Sequence, residues 1–573
     1  MKSTIDKAKN WLDSAVFDQH TIDEVQNLIN DNSAQLEEAF YKNLEFGTGG
    51  MRGIMGAGTN RINKYTLGKN SQGIANYLKK VYPNETHKVA IAYDCRHNSQ
   101  EFAYAVAQVF SANGVQVYIF PELRPTPLLS YAVKHLGCHC GIVLTASHNP
   151  PEYNGYKVYW TDGGQLVPPQ DKEVINEIDH LQFKDVDFKG NKERITELGP
   201  DVDQAFIDDS IKNGGFNTTE ESRKNLNISF TSLHGTSVTL VPKVLEKRGY
   251  KQVHIVKEQA EPNGDFPTVD SPNPEEPAAL KMALELGEKK GSDLVAGTDP
   301  DGDRLGIAVR NLEGQLQVLN GNQTMVMMTW FLLEEWKKEN RIQGKEFVAS
   351  TIVSTPLMRV LTESYLVDYK ESLTGFKWIA KLIKDNPELD FIGGGEESFG
   401  FMVGDFVRDK DAVTAILLVC EMAAQLKAEG SSIYEKMVEL YTTHGYFKEH
   451  LVSLVKKGIE GAEEIKQKMI ALRENPLKEI VGEKVVLIED YSSQKAKNTH
   501  TKETYDIAIP QSNVLIYYTE NGTKIAARPS GTEPKIKFYI SVNTELESHK
   551  QYHQATEILD EKIQRIVKEL GIA

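Results

Sequence analysis

Three observations predict an α/β protein built from several domains. Short apolar, β-prone runs alternate with helix-patterned segments, and this alternation recurs in three successive units. At 573 residues the chain also exceeds what one hydrophobic core organises, giving roughly four domains at ~150 residues each. The last part of the chain replaces the alternation with a strand, a helix and a hairpin-like pair.

The chain opens with helical signals. Thr21 followed by Glu24 has the spacing of a capping box ahead of Val25, Leu28 and Ile29. The glycines of Phe46-Gly47-Thr48-Gly49-Gly50-Met51-Arg52-Gly53 let a backbone approach an anion, and Arg52 adds a charge that does not titrate. A helix from Thr66, a strand at 89–93, a helix from Ser99 and a strand at 115–119 follow in βα order. The apolar run 140–144 then delivers Thr145-Ala146-Ser147-His148-Asn149-Pro150 at a strand's C-terminal end, where open α/β sheets bind ligands. Pro150 and Pro151 block helical continuation, so Ser147 is presented on a fixed loop as a candidate nucleophile. Alone, this segment reads as an ordinary turn; its company elsewhere changes that. Lys157 starts the next strand, close in sequence to the serine.

The second unit comprises a strand at 226–230, a helix at 238–247 and a strand at 253–256, then a polar, proline-rich loop at 261–277. A helix through Leu280, Ala283 and Leu284 and a strand at 293–297 lead to Asp299-Pro300-Asp301-Gly302-Asp303-Arg304. Carboxylates at alternate positions of a short loop can converge on one hard divalent cation. An EF-hand is excluded, because the twelfth position counted from Asp299 is Arg310 where a bidentate glutamate is required. With no histidine or cysteine beside them, the three aspartates favour Mg²⁺ over zinc, and Arg304 is placed to hold a phosphate.

The third unit runs from Gly321 through a long helix, a strand at 347–349 and a helix after Pro356. Thr374-Gly375-Phe376-Lys377-Trp378 opens another helix, whose N-terminal amides favour an anion near Lys377. A strand at 391–392 then passes a flexible triple-glycine approach into Glu396-Glu397-Ser398-Phe399-Gly400, carboxylates and a hydroxyl suited to sugar hydroxyls. The fourth unit has a strand at 450–455, a helix at 462–472 and an exposed loop at 492–503. Its hairpin brings Arg528-Pro529-Ser530-Gly531-Thr532 to a turn, a compact phosphate cradle with Lys537 on the following strand.

The formal balance of 65 basic and 81 acidic residues, net −16, disfavours nucleic acid and anionic membrane as partners. An anionic substrate therefore requires locally gathered Lys and Arg. Neither a signal peptide nor a long apolar run is evident, and the four cysteines lack zinc-site pairing, so free thiols in a reducing cytoplasm are expected.

Taken in order, the Ser147, Asp299, Glu396 and Arg528 motifs resemble those of the α-D-phosphohexomutase family over nearly the whole chain. The resemblance implies three α/β domains with mixed sheets and a C-terminal α+β domain around a central cleft, here 1–203, 204–318, 319–444 and 445–573. It implies an intramolecular phosphotransferase in which Ser147 is phosphorylated and one Mg²⁺ is held by Asp299, Asp301, Asp303 and a phosphoserine oxygen. Glu396 and Ser398 would grip sugar hydroxyls, and Thr374 and Gly375 are further candidate substrate-binding residues. Arg528, Ser530, Gly531 and Thr532 would hold the phosphate that is not moving, with Lys537 as an extra charge on the following strand. Lys157 matches the family's lysine after the phosphoserine loop, and Lys377 lies in a motif similar to glucose-type members. Either is a candidate for proton transfer, with Arg52 and His148 as supporting catalytic residues. Gly400 stands where some members carry a histidine, which leaves the base open. The sugar loop is closest to glucose-type members, so glucose 1-phosphate and glucose 6-phosphate are the expected substrates and glucose 1,6-bisphosphate the activator; pentose or mannose phosphates are the alternative. A monomer or weak homodimer acting on small sugar phosphates is expected. A serine hydrolase is disfavoured by the lack of a Gly-x-Ser-x-Gly elbow, and a non-catalytic binder by the presence of every reactive motif.

Overall fold

The structure, a computed structural model, describes residues 2–31, 34–47, 49–456, 458–530 and 535–572. Within these residues the chain builds four sheets in sequence. The first contains β1 (Gly50–Ile54), β2 (Lys88–Tyr93), β3 (Gln116–Ile119), β4 (Cys140–Leu144), β5 (Tyr153–Trp160) and β6 (Ile195–Glu197), in spatial order β1-β5-β4-β2-β3-β6. Strands β2, β3, β4 and β6 run parallel, whereas β5 is antiparallel to both β1 and β4. The second contains β7 (Asn227–Thr231), β8 (Gln252–Ile255), β9 (Leu294–Thr298), β10 (Leu305–Arg310) and β11 (Leu316–Leu319), ordered β11-β10-β9-β7-β8. The third contains β12 (Glu346–Thr351), β13 (Asp368–Ser372), β14 (Asp390–Gly395) and β15 (Phe401–Val403), ordered β13-β12-β14-β15. Both are mixed, with a parallel centre and antiparallel β10, β11 and β15.

The fourth sheet is wholly antiparallel: β16 (Tyr446–Val455), β17 (Glu479–Ile480), β18 (Glu483–Asp490), β19 (Lys495–Asn498), β20 (Thr504–Asp506), β21 (Leu515–Thr519), β22 (Lys524–Pro529) and β23 (Lys535–Thr544). Its order is β16-β23-β22-β21-β18-β19-β20, with β17 on β18, and the helices Gly458–Glu474 and Tyr552–Glu569 accompany it. The expected class, three α/β units with mixed sheets and an α+β unit, is the class observed.

The fully buried runs of β2, β4, β9 and β12 explain why the sequence showed them as unbroken apolar stretches: helices cover both faces of such strands. Four local expectations are corrected. The helix Gln19–Asn30 is capped by Asp18, whose carboxylate accepts from Thr21 N at 2.8 Å, so Thr21 lies inside the helix; Glu24 instead accepts from Ala57 N at 2.9 Å. Lys157 sits in the middle of β5, which begins at Tyr153. The glycines 393–395 are the end of β14, because a Cβ on Gly394 would lie 2.0 Å from Ala349 O of the paired β12. Within 492–503, Lys495–Asn498 forms β19 against β18; its polar side chains gave no β signal, and only Ala496 turns inward.

Candidate active site

Each chemical motif lies at the end of a strand or inside a hairpin, and the packing of the units brings three of them together. Beyond β4, Ser147 adopts φ +51°, a left-handed conformation sustained by the surrounding loop. Thr145 Oγ1 accepts from Ser147 N at 2.8 Å. Arg96 then clamps the loop: its guanidinium donates to Ser147 O at 2.6 Å, Pro150 O at 2.7 Å and Tyr153 O at 3.0 Å, and also to Asn149 O. Asp94, buried beside Arg96, balances its charge at 3.3 Å. On the other side Gly155 faces Thr145 O, where a Cβ would approach to 2.4 Å. Ser147 Oγ donates to Asp299 Oδ2 at 2.6 Å and lies 3.2 Å from His148 Nδ1. Burial, followed by the charges of Arg304 and Arg52, holds the His148 pKa well below its usual value, so the imidazole is neutral at pH 7. Arg52, projecting from β1, donates to Asn149 Oδ1 at 2.7 Å.

The aspartate loop follows β9 and reaches Ser147 from the second unit. Three different segments fix its backbone: Thr126 N donates to Asp301 O at 2.8 Å, Thr236 N to Pro300 O at 2.8 Å and Ala412 N to Gly302 O at 3.3 Å. Asp299, Asp301 and Asp303 are buried, and each offers an oxygen within 4.8 Å of the others. Asp301 Oδ1 and Asp303 Oδ1 are buried with no hydrogen-bond partner among the described residues. Orphaned carboxylate oxygens on a fixed loop fit a hard divalent cation. Burial, followed by the charges of Asp301 and Asp303, drives the Asp299 pKa well above the usual carboxylate range. Lys157 Nζ donates to Asp301 Oδ2 at 2.7 Å and Asp303 Oδ2 at 3.0 Å.

Lys410 is the residue that sequence reasoning missed. Its ammonium lies 3.1 Å from Asp303 Oδ2 and 3.5 Å from Asp409 Oδ1, and Asp409 is itself held by Tyr159 Oη at 2.6 Å. The one sequence signal was the charged run Arg408-Asp409-Lys410-Asp411 directly before an apolar helix, where Asp411 caps Ala412–Ala428. Nothing in that run distinguishes Lys410 from a solvated charge.

The third unit supplies the sugar loop. Glu396, at the end of β14, accepts from Gly375 N at 2.7 Å, so two segments 21 residues apart in sequence meet there. Burial raises its pKa while the Lys410 charge opposes the rise. Glu397 accepts from Thr351 Oγ1 at 2.8 Å and Ser354 Oγ at 3.1 Å; Ser398 and Thr374 are half-buried. Lys377 begins the helix Lys377–Asp385, and burial pushes its pKa down to about 8. Arg304 pairs with Glu275, and its backbone bridges Gly400, tying the aspartate loop to the sugar loop.

In the hairpin of β22 and β23, Arg528 sits opposite Lys537, with Arg528 Nη1 3.4 Å from Tyr539 Oη, and Ser530 N donates to Lys535 O at 2.7 Å. Burial, then the neighbouring Lys535 charge, lowers the Lys537 pKa, with the charges of Glu397, Arg528 and Arg304 also acting on it. Gly531 and Thr532 lie outside the described residues.

Family models agree with this architecture in chain order. They are Phosphoglucomutase/phosphomannomutase alpha/beta/alpha domain I over residues 43–185, domain II over 204–314 and domain III over 320–441. The chain is 38% identical over 537 residues to phosphoglucomutase of Staphylococcus epidermidis, spanning 93% of this chain and 96% of that protein. It is 39% identical over 510 residues to phosphoglucomutase of Staphylococcus aureus, spanning 88% and 90%. Among solved structures, the open form of parafusin, a phosphoglucomutase from Paramecium, gives a TM-score of 0.70 at 17% identity over 92% of this chain and 96% of that one. A phosphomannomutase-like protein from Thermus thermophilus gives 0.64 at 20% identity, covering 91% and 99%. At these identities the two structures speak to the fold alone. The chain therefore belongs to the α-D-phosphohexomutase family, an isomerase class that moves a phosphoryl group within a sugar phosphate. Within that family it is most like the phosphoglucomutases.

Proposed function

We propose that this chain interconverts glucose 1-phosphate and glucose 6-phosphate through a phosphorylated Ser147 and a glucose 1,6-bisphosphate intermediate. One observation carries the reading: Ser147 Oγ, from the first sheet, lies 2.6 Å from Asp299 of a second-sheet loop whose other carboxylates retain unpartnered buried oxygens. In the first half-reaction the P–O bond to Ser147 Oγ breaks as a free sugar hydroxyl takes the phosphoryl group and gives up its proton. The bisphosphate then turns end for end, and its other phosphate returns to Ser147 Oγ, so no phosphate is consumed. Two phosphate positions are required, one at Ser147 and one at the Arg528 hairpin.

Asp299, Asp301 and Asp303 would hold Mg²⁺ together with a phosphoserine oxygen. Bound there, the ion would balance charge on the transferring phosphoryl group. Neutral His148 orients the serine oxygen, and Arg52 holds the loop through Asn149 while presenting positive charge to the phosphate. Lys157 and Lys410 gather cationic charge against the aspartates; Lys377, with both charge states accessible near neutral pH, exchanges the hydroxyl proton. Glu396, Ser398, Thr374 and Gly375 define the sugar position. Arg528, Ser530, Gly531, Thr532 and Lys537 receive the phosphate at rest, while Arg304, next to the aspartate loop, offers its charge to the phosphate at the cation. A division of the chain into domains at 203/204, 318/319 and 444/445 is supported by the gaps between sheets at the first and last boundaries, the middle one falling one residue inside β11, and four free thiols suit the cytoplasm. The relatives matched over most of the chain are phosphoglucomutases, so mannose and pentose phosphates are the less supported substrates.

Ser147→Ala removes the acceptor oxygen and leaves the aspartate loop and the cradle. Turnover should fall to background while sugar-phosphate binding survives. Peptide mass spectrometry after treatment with glucose 1,6-bisphosphate should place phosphate on Ser147. Phosphate on another residue, or substantial mutase activity in the alanine variant, would refute the reading.

A further inference from the structure

The loop Ile352–Thr355, which follows β12, touches two parts of the site at once. On one side Ser354 Oγ, together with Thr351 Oγ1, donates to Glu397 of the sugar loop at 3.1 and 2.8 Å. On the other, Ser354 O accepts from Lys524 Nζ at 3.1 Å. Lys524 opens β22, the same strand that carries Arg528 further along. Its side chain is only 4% exposed, and among the described residues no carboxylate lies within 4.0 Å of its ammonium. Glu371, Glu489, Glu397 and Glu449 surround it at longer range, and the Tyr518 ring lies 5.9 Å away. An ammonium stripped of water and held by a carbonyl is costly to bury, so its placement calls for a reason beyond stability.

The apolar contacts beside it define the same joint. Ile352, Val353 and Leu373 of the third unit pack in one cluster with Tyr491, Val514, Ile516, Ala526 and Tyr539 of the fourth. A cavity of about 200 Å³ opens next to this joint, and Glu397, Phe399, Lys524 and Tyr539 all line it. Apolar packing sets how closely the units approach but not their register, since it is non-directional. The Lys524–Ser354 hydrogen bond supplies a directed contact.

We propose that Lys524 is a positioning residue that fixes the distance between the sugar loop and the phosphate cradle by pinning β22 to the loop that braces Glu397. This rests on the mutase reading above, in which both monophosphates and the bisphosphate must span that distance. A fixed span matters most for the bisphosphate, which is held at both ends before and after it reverses. Loosening the span weakens each monophosphate and lets the intermediate escape before its second transfer.

The test is Lys524→Met, which keeps length and apolar bulk without the donor, compared with Lys524→Arg, which restores a donor, and Ser354→Ala, which removes the brace that Ser354 places on Glu397 and leaves that of Thr351. In Lys524→Met the Michaelis constants for both monophosphates should rise about tenfold, with kcat changed far less. The number of turnovers before added bisphosphate is again required should fall. Lys524→Arg should recover most of both effects. The double variant Lys524→Met/Ser354→Ala should be no worse than the more damaged single variant, because the two changes break successive links of one path, from Lys524 to the Ser354 carbonyl and from the Ser354 hydroxyl to Glu397. Additive damage, or equal loss in the Arg and Met variants with a lowered melting temperature and no rise in bisphosphate demand, would overturn the proposal. If the wild type neither turns over glucose phosphates nor responds to bisphosphate, the mutase reading itself fails, an outcome separate from these.

Discussion

Lys377 is a side chain whose charge the fold brings close to balance near physiological pH. Burial drives it down, to about 8, with the Asp171 carboxylate opposing. As a proton acceptor it must be neutral, so kcat should rise as pH increases through about 8 and fall below it. Lys377→Arg keeps a permanent positive charge but cannot release a proton in this range. That variant should lose the limb near pH 8 while retaining much of its phosphate affinity. An identical limb in the arginine variant would assign the proton to another group. At this scale the sequence was legible wherever chemistry is contiguous. The Ser147 and Asp299 loops could be read because each carries its own reactive groups between a strand and a proline. Lys410 could not, because its meaning comes from Asp303, more than a hundred residues earlier in the chain.

Among elements, the hairpin of β22 and β23 is the clearest case of backbone geometry arranging charge. Antiparallel register sets Arg528 opposite Lys537, so two cations share one stretch of ladder that would be unfavourable without an anion between them. Arg528→Ala should therefore raise the Michaelis constants for both glucose 1-phosphate and glucose 6-phosphate, roughly 10- to 100-fold, because each places its resting phosphate there. Unchanged constants in both directions would put that phosphate elsewhere. The preceding hairpin, of β21 and β22, was legible from Asn521-Gly522 between β-prone runs, whereas β19 was not: its residues form a strand because β18 offers an edge, a fact absent from local propensity. Asp18 displaced the expected Thr21 cap for a related reason. Either residue could have begun that helix, and packing chose the earlier one.

Across the whole molecule, the joints between units rest on buried polar groups as well as on apolar packing. Glu421, fully buried on the helix Ala412–Ala428, accepts from Arg248 Nε and Nη2 at 2.9 and 2.8 Å, Tyr250 Oη at 2.8 Å, Thr218 Oγ1 at 2.7 Å and Phe216 N at 2.9 Å. It fastens the second unit to the third. Glu421→Ala would leave Arg248 and several donors without their acceptor, at a cost of about 3–5 kcal/mol. Denaturant unfolding should shift by that order with Michaelis constants unmoved; an unshifted transition would show that the joint relaxes around the loss. Such joints were illegible in the sequence, since Glu421 sits in an apolar helix as a lone acid whose partners come from another unit. One further joint, at the centre, links the aspartate loop to the sugar loop: Arg304 bridges Gly400, and Leu305 N donates to Phe399 O at 2.9 Å. A setting of this joint that suits the cation is the setting presented to the sugar. Thermodynamic linkage then works in both directions: whatever factor the ion contributes to the grip on sugar hydroxyls, the sugar returns to the grip on the ion.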